Sequence, residues 1–336
     1  MIILEEDVNL KFYEFDKDFA VGADISWVPQ MLKSGFVFYD QYGNERDILS
    51  ILKDYNMDTI RLRTWVNPTD NPHSGHCSAK ETLEFATQCR AMGYRLMLNF
   101  HYSDSWADPK QQRTPAAWNS LCFDALVNKL YEYTHETMML FKDNNIELEW
   151  VQIGNETNPG MMLPMGSKDN WENLTRLYNA GHEAVKAVMP DTKTMIHLAE
   201  LNNTDFCIDY FENVDKNGCQ YDMMGFSVYP YWAEREHQIS YKSCMDSFSQ
   251  SMRIIPERFG KDIVLVETGG IDEQENECYQ LFIEILEEMT QQPKCKGILL
   301  WEPQGARVWS NYPLSAWRSD GHPSDALKAF NHIKRK

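Results

Sequence analysis

A single-domain α/β fold of the (β/α)8 TIM-barrel kind over residues 1–336 is what this sequence predicts, and three observations predict it. Eight strand-like apolar runs occur along the chain, with helical matter between them, which argues for parallel strands joined by helical crossovers. The count of eight favours the closed barrel over an open doubly wound sheet. No GxGxxG follows the first strand, no GxxxxGK[ST] occurs, and no repeat or low-complexity linker marks a second domain.

After an acidic lead-in over 1–18, residues 19–26 (FAVGADIS) read as strand one. Residues 47–55 form an amphipathic stretch with apolar side chains at 48, 49, 51, 52 and 55. Strand two is TIRLR at 59–63, followed by a helix over 80–92 that Gly93 stops. Strand three spans 94–100 and runs into HYSDSWADP; a long helix covers 121–144. Strand four is Trp150–Ile153, broken by Gly154-Asn155-Glu156-Thr157-Asn158-Pro159, which cannot continue a central strand. A helix over 171–188, closed by Pro190, precedes strand five at 194–199. Strand six over 221–228 delivers Tyr229-Pro230-Tyr231-Trp232. A helix over 241–259 leads to strand seven, 261–266 running into Glu267-Thr268-Gly269-Gly270. A helix over 277–290 leads to strand eight at 297–300 and Trp301-Glu302-Pro303. The segment 303–336 closes the chain, with a short helix near 324–333.

The formal charge of −18 argues against a nucleic-acid backbone or an anionic membrane as partner. It fits a neutral or cationic substrate. No window approaches 18 uninterrupted apolar residues, so no membrane span is expected. Met1-Ile2-Ile3-Leu4 runs straight into Glu5-Glu6-Asp7 with no basic-then-apolar leader. None of the eight cysteines forms a CxxC pair, which disfavours a zinc knuckle. Cys207 and Cys219 flank an expected loop and stand as a candidate disulfide. Met161, Met162 and Met165 are expected to pack under a long loop.

In a barrel, the chemistry belongs at the C-terminal ends of the strands. Collected there are Asp24, Arg63, His101, Asp104, Asn155, Glu156, Tyr229 and Glu267, with His197 inside strand five and Trp106, Trp232 and Trp301 around them. Two glutamates that each close a hydrophobic strand, Glu156 and Glu267, are the candidate catalytic pair. A glycosidic bond needs an acid for its leaving oxygen and a second carboxylate to attack or to activate water. The pair can divide those roles only if their environments separate their pKa values. Arg63 is the expected cation holding one of them ionised. Tyr229 and His197 are expected to bond or orient the nucleophile. Flat aromatic faces suit pyranose rings, and the same tryptophans would serve equally as core or rim residues.

A metal hydrolase is the competing use of His101, Asp104, Glu156 and His197, but no HExxH or close histidine pair occurs among them. His73-x-x-His76 reads as a solvent-facing loop pair. GxSxG is absent and no cysteine sits at a strand end beside a histidine, so serine or cysteine catalysis has little support.

Seven segments carry a family resemblance: GADISWVPQM at 22–31, IRLRTWVNP at 60–68, NFHYSDSWADPKQQ at 99–112, VQIGNETNPGMMLPMG at 151–166, YDMMGFSVYPYW at 221–232, VLVETGG at 264–270 and LLWEP at 299–303. In these the chain resembles glycoside hydrolase family 53, the endo-β-1,4-galactanases that cut galactan side chains of pectin. The resemblance runs from about Gly22 to Phe330. It implies a retaining barrel enzyme, with Glu156 as general acid/base and Glu267 as nucleophile, their carboxyl groups about 5–5.5 Å apart. Asn155 would bind the sugar 2-hydroxyl, with Arg63, His101 and Tyr229 around the nucleophile. It further implies a polysaccharide or oligosaccharide as partner and an extracellular, cell-surface or periplasmic location; a monomer needing no cofactor for catalysis is expected. Some relatives hold a structural calcium in a long loop; no ligand set for it matches here residue by residue. Two departures stand out. Members usually follow the nucleophile with ETxYP where this chain has Glu267-Thr268-Gly269-Gly270, and many place Asp where it has Asn99. The substrate alternatives are another β-linked polysaccharide or shorter oligosaccharides, and a catalytically inactive carbohydrate-binding barrel is the third reading.

Overall fold

The computed structural model describes residues 11–336; residues 1–10, with the start read above for a leader, lie outside the described residues. In chain order the strands are β1 (Tyr13–Phe15), β2 (Ala20–Asp24), β3 (Thr59–Thr64), β4 (Arg95–Phe100), β5 (Trp150–Ile153), β6 (Gly160–Met161), β7 (Gly166–Ser167), β8 (Lys193–Leu198), β9 (Met223–Ser227), β10 (Asp262–Glu267), β11 (Cys295–Trp301) and β12 (Ile333–Arg335). The helices are α1 (Val28–Lys33), α2 (Ile48–Lys53), α3 (Ala79–Ala91), α4 (Phe123–Asp143), α5 (Trp171–Val188), α6 (Thr204–Lys216), α7 (Pro230–His237), α8 (Tyr241–Phe259), α9 (Glu275–Met289) and α10 (Arg307–Ser310). Eight parallel strands close into a barrel in the order β2-β3-β4-β5-β8-β9-β10-β11, and β11 returns to β2 with Trp301 opposite Asp24. This is the (β/α)8 TIM barrel the alternation implied.

Inside the barrel the strand period of two sorts side chains by depth. Ala20, Met97, Trp150, Met195, Met223, Val264, Val266 and Leu299 form one apolar cluster that fills the lumen. Two residues further along the same faces come Asn99, Gln152 and His197, and four beyond Met223 comes Ser227, all buried and all polar. The barrel therefore has an apolar plug at one level and a polar floor above it. At β10 the pairing with β9 slips by one residue between Leu265 and Glu267, which sets Glu267 opposite Ser227. Such a bulge re-aims a side chain at a strand end. Here it puts Glu267 on the face that carries the polar floor.

The helices form for local reasons. Ser78 and Glu81 cap α3 reciprocally as a capping box. Asn170, Asn203 and Ser240 accept backbone N–H bonds at the starts of α5, α6 and α8. Leu126, Leu130, Thr134, Met138 and Phe141 give α4 a buried stripe at helical spacing. The expected helices near 47–55, 80–92, 121–144, 171–188, 241–259 and 277–290 are all present within a few residues.

Three expectations are corrected. The loop supposed between Cys207 and Cys219 is largely α6, Cys207 lies buried on it, and both thiols are free. The closing helix is a 3-10 turn over Asp325–His332 that ends in β12. Within the lead-in, β1 pairs in parallel with β12, Tyr13 opposite Ile333, and brings the two ends of the described chain together.

Candidate active site

Gly154 and Glu156 shape the fourth strand's end. Gly154 has φ +89 and a Cβ there would lie 2.6 Å from Thr157 Cγ2, so glycine suits this position. Glu156 itself has φ +45, an uncommon left-handed conformation for a non-glycine. Tyr102, Glu200 and Glu302 share that conformation, at φ +49, +65 and +43, just past the ends of β4, β8 and β11. Backbone strain of this kind tends to gather where a site must be built.

Glu156 and Glu267 line one cavity of about 540 Å³, whose wall also includes Trp106, Asn155, Ser227, Tyr229, Trp232, Trp301 and Tyr312. Arg61 Nη2 donates to Asn155 Oδ1 at 2.8 Å and meets Glu267 Oε1 at 2.8 Å. Its Nη1 donates to Asp24 Oδ2 at 2.9 Å, and its Nε bonds Gln152 Oε1. Tyr229 donates its hydroxyl to Glu267 Oε2 at 3.2 Å. Burial raises the Glu267 carboxyl, with Arg61 pulling the other way. Burial also pushes the Glu156 carboxyl well up, and the neighbouring Glu267 charge adds to that. The cation beside Glu267 thus separates the two carboxyls in the direction a division of labour needs.

Asn155 is fixed from three further sides. Asn99 Nδ2 donates to its Oδ1 at 2.8 Å, its own Nδ2 donates to Ala107 O at 2.8 Å, and Gln112 Nε2 donates to its backbone oxygen at 2.7 Å. His197 Nδ1 accepts the Glu156 backbone N–H at 3.3 Å, and Nε2 lies 2.7 Å from Ser227 Oγ. Burial and the Arg61 charge hold His197 well below its usual pKa, so the neutral ring is the resident form.

Several expected residues sit elsewhere. Arg63 is not the partner of the glutamate pair: Arg61, two residues earlier on the same strand face, holds Glu267, while Arg63 pairs with Asp24 and Glu302. The two arginines are equivalent by strand period, and only depth in the barrel separates them. His197 bonds the Glu156 backbone and Ser227 rather than orienting Glu267. His101 does not surround Glu267; its Nδ1 accepts the Ala107 N–H at 3.0 Å and steadies the turn that carries Trp106. Asp104 is a loop clamp, accepting the N–H groups of Asn67 at 2.9 Å and Ala116 at 2.8 Å. Asp24 is fully buried beneath the cavity between the two arginines. Among the described residues, no group of three or more His, Cys, Asp or Glu is arranged to hold a metal ion, and no helix is long and apolar enough to cross a membrane.

Sequence reasoning missed Arg61, Gln152, Ser227 and Tyr312. The first three carry a signal, being polar residues on the inward face of barrel strands. Tyr312 carries none, since it arrives from the long segment after β11. The departure after Glu267 has a packing basis. A Cβ on Gly270 would lie 2.6 Å from Cys278 Sγ on α9, so bulk there would push the helix away. Tyr312, packed edge-on to Trp301 at 4.8 Å, supplies an aromatic wall beside the pair.

A closed eightfold barrel with an unequally partnered glutamate pair in an aromatic-walled cleft defines a glycoside hydrolase of the barrel class. The model of glycosyl hydrolase family 53 matches residues 20–296, and the chain belongs to that family. It is 35% identical over 254 residues to the arabinogalactan endo-β-1,4-galactanase of Humicola insolens, covering 74% of this chain and 73% of that one. Its fold superposes on the family 53 catalytic domain of Ignisphaera aggregans with a TM-score of 0.84 at 29% identity, over 95% of this chain and 97% of that one. A fungal β-1,4-galactanase structure gives 0.83 at 30% identity, over 94% and 99%.

Proposed function

We propose that this enzyme is an endo-β-1,4-galactanase that hydrolyses internal β-1,4-galactosidic bonds with retention, Glu156 acting as acid/base and Glu267 as nucleophile. The observation that carries the reading is the asymmetric pair: both glutamates line one cavity, and Arg61 bridges only Glu267. The galactanase names of the family 53 relatives support the substrate.

In the first step a Glu267 oxygen attacks the anomeric carbon, the glycosidic C–O bond breaks, and the leaving oxygen takes the Glu156 proton. In the second, Glu156 takes a proton from water, whose oxygen attacks the anomeric carbon and frees the Glu267 carboxylate. Asn155, held by Arg61, Asn99 and Ala107, has its amide fixed for a sugar hydroxyl. Trp106, Trp232, Trp301 and Tyr312 offer faces and edges to the rings. A polysaccharide does not cross a membrane unaided, which supports action outside the cytoplasm.

The test is reducing-end release from linear β-1,4-galactan, together with an aryl β-1,4-galactobioside and azide. Glu267→Ala is expected to lose at least about 10³-fold in rate and to form the inverted α-azide. Glu156→Ala should form the β-azide instead. Intact galactan beside a cleaved different β-glycan would overturn the substrate; exchanged azide products would reverse the roles.

A further inference from the structure

A third glutamate lies under the same cleft, outside the cavity wall. Glu302 follows Trp301 at the end of β11, is fully buried, and takes φ +43. Arg63 Nη1 donates to its Oε1 at 2.5 Å, the Trp27 N–H lies 3.0 and 3.2 Å from its two oxygens, and Gln304 Nε2 donates to its Oε2 at 2.5 Å. Each of these neighbours is a donor, so the contacts suit the ionised carboxylate.

From Glu302 the charges alternate across the barrel. Arg63 reaches Glu302 and, at 3.1 Å, Asp24 Oδ1; Asp24 Oδ2 receives Arg61 at 2.9 Å; Arg61 reaches Glu267 at 2.8 Å. Three carboxylates and two guanidinium groups make a buried set with one negative charge in excess. Once Glu267 is esterified to sugar, two carboxylates remain against two arginines and the set is neutral. Without Glu302 the same intermediate would hold an uncompensated buried cation beneath a sugar that passes through oxocarbenium-like transition states. Arg63 is also walled by indoles, its guanidinium carbon 4.3 Å from the Trp106 ring and 5.9 Å from that of Trp301, both of which line the cleft.

We propose that Glu302 is a positioning residue for the sugar-splitting reaction, acting through Arg63, Asp24 and Arg61 on the charge and placement of Glu267. This rests on the nucleophile role proposed above for Glu267. Burial pushes the Glu302 carboxyl up to about 8 while Arg63 opposes it, and with three donors and no acceptor against its oxygens the ionised form is the one the geometry favours. The groups facing Glu302 are Arg63, Asp24 and the buried Cys77 thiol; those facing Glu267 are Arg61, Asp24, Tyr229, Glu156 and Tyr312.

The test is carbon-13 NMR titration of glutamate carboxyls, with galactan kinetics alongside. In Glu302→Gln the loss of a negative neighbour should lower the Glu267 midpoint by about 0.5–1 pH unit, moving the acid limb of the rate profile the same way. Linkage requires an equal downward shift of Glu302 in Glu267→Gln, a measurement that needs neither activity nor folding of Glu302→Gln. The turnover number should fall about 10–100-fold in Glu302→Gln, with KM within about threefold, and Glu302→Asp should recover most of it. Unmoved midpoints in both variants would overturn the proposal, as would lost turnover with no shift of the limb. A wild type that leaves galactan intact would overturn the substrate reading, and the reciprocal titration would still decide the coupling.

Discussion

Arg61 ties the floor of the site together, because one planar fork meets Glu267, Asp24, Asn155 and Gln152 at once. Lysine keeps the charge but not the fork. Arg61→Lys is therefore expected to lower kcat/KM by about 100-fold or more and to raise the pH at which the acid limb falls, since the ammonium keeps its charge but loses the fork's direct contact with Glu267. Initial rates on galactan from pH 4 to 8 would check both effects. A simple loss of rate with the limb unmoved would assign Arg61 to geometry alone. The candidate glutamates were legible at this scale, each being a carboxylate that closes an apolar run. The choice between Arg61 and Arg63 was not, because residues two apart on a strand share a face and differ only in what surrounds them.

At the scale of elements, two backbone devices aim the pair. The turn after β5 uses Gly154 in the left-handed region, and the bulge in β10 returns Glu267 to the lumen side. Gly154→Ala would add a Cβ 2.6 Å from Thr157 Cγ2 in a strained conformation. The expected cost is about 1–3 kcal/mol of stability, read as a lower midpoint in urea. Turnover should fall further than KM rises, because Asn155 and Glu156 follow directly. Elements with strong apolar periodicity, such as α4, α5 and α8, were readable from the sequence alone. The helix α6 was not, since its buried positions Cys207, Tyr210, Phe211 and Val214 are interleaved with acidic residues in a short segment. The β1–β12 pairing was equally hidden, being two short strands at opposite ends of the chain.

For the whole molecule, pH acts on stability from both sides. His101 and His197 are held well below their usual pKa by burial, and His182 is also lowered by burial. The unfolded chain protonates these histidines below about pH 6.5 while the folded one resists, so stability falls as pH drops from there. Glu156 and Glu267 are raised, chiefly by burial. The unfolded chain ionises them above about pH 4.3 while the folded one resists, so their contribution is lost as pH rises toward their folded values. Self-repulsion from the −18 net charge adds to the alkaline loss. A melting temperature highest near pH 6 and declining on both sides is expected from scanning calorimetry, and a flat profile from pH 5 to 8 would contradict it. The same charge should keep copies apart, and light scattering should give a monomer of 39.3 kDa.

The sequence by itself determined the barrel and marked the two candidate glutamates, because strand period, crossover helices and abrupt strand ends are local patterns. The family resemblance lay in contiguous motifs at those ends. Tertiary structure alone decided which arginine meets Glu267, that Glu302 joins the buried charges beneath the cleft, and that Tyr312 walls it. Those outcomes depend on depth, on a one-residue bulge and on contacts between strands far apart in the chain. Electrostatic partners are set by distance across the closed barrel, and spacing along the chain does not encode that distance.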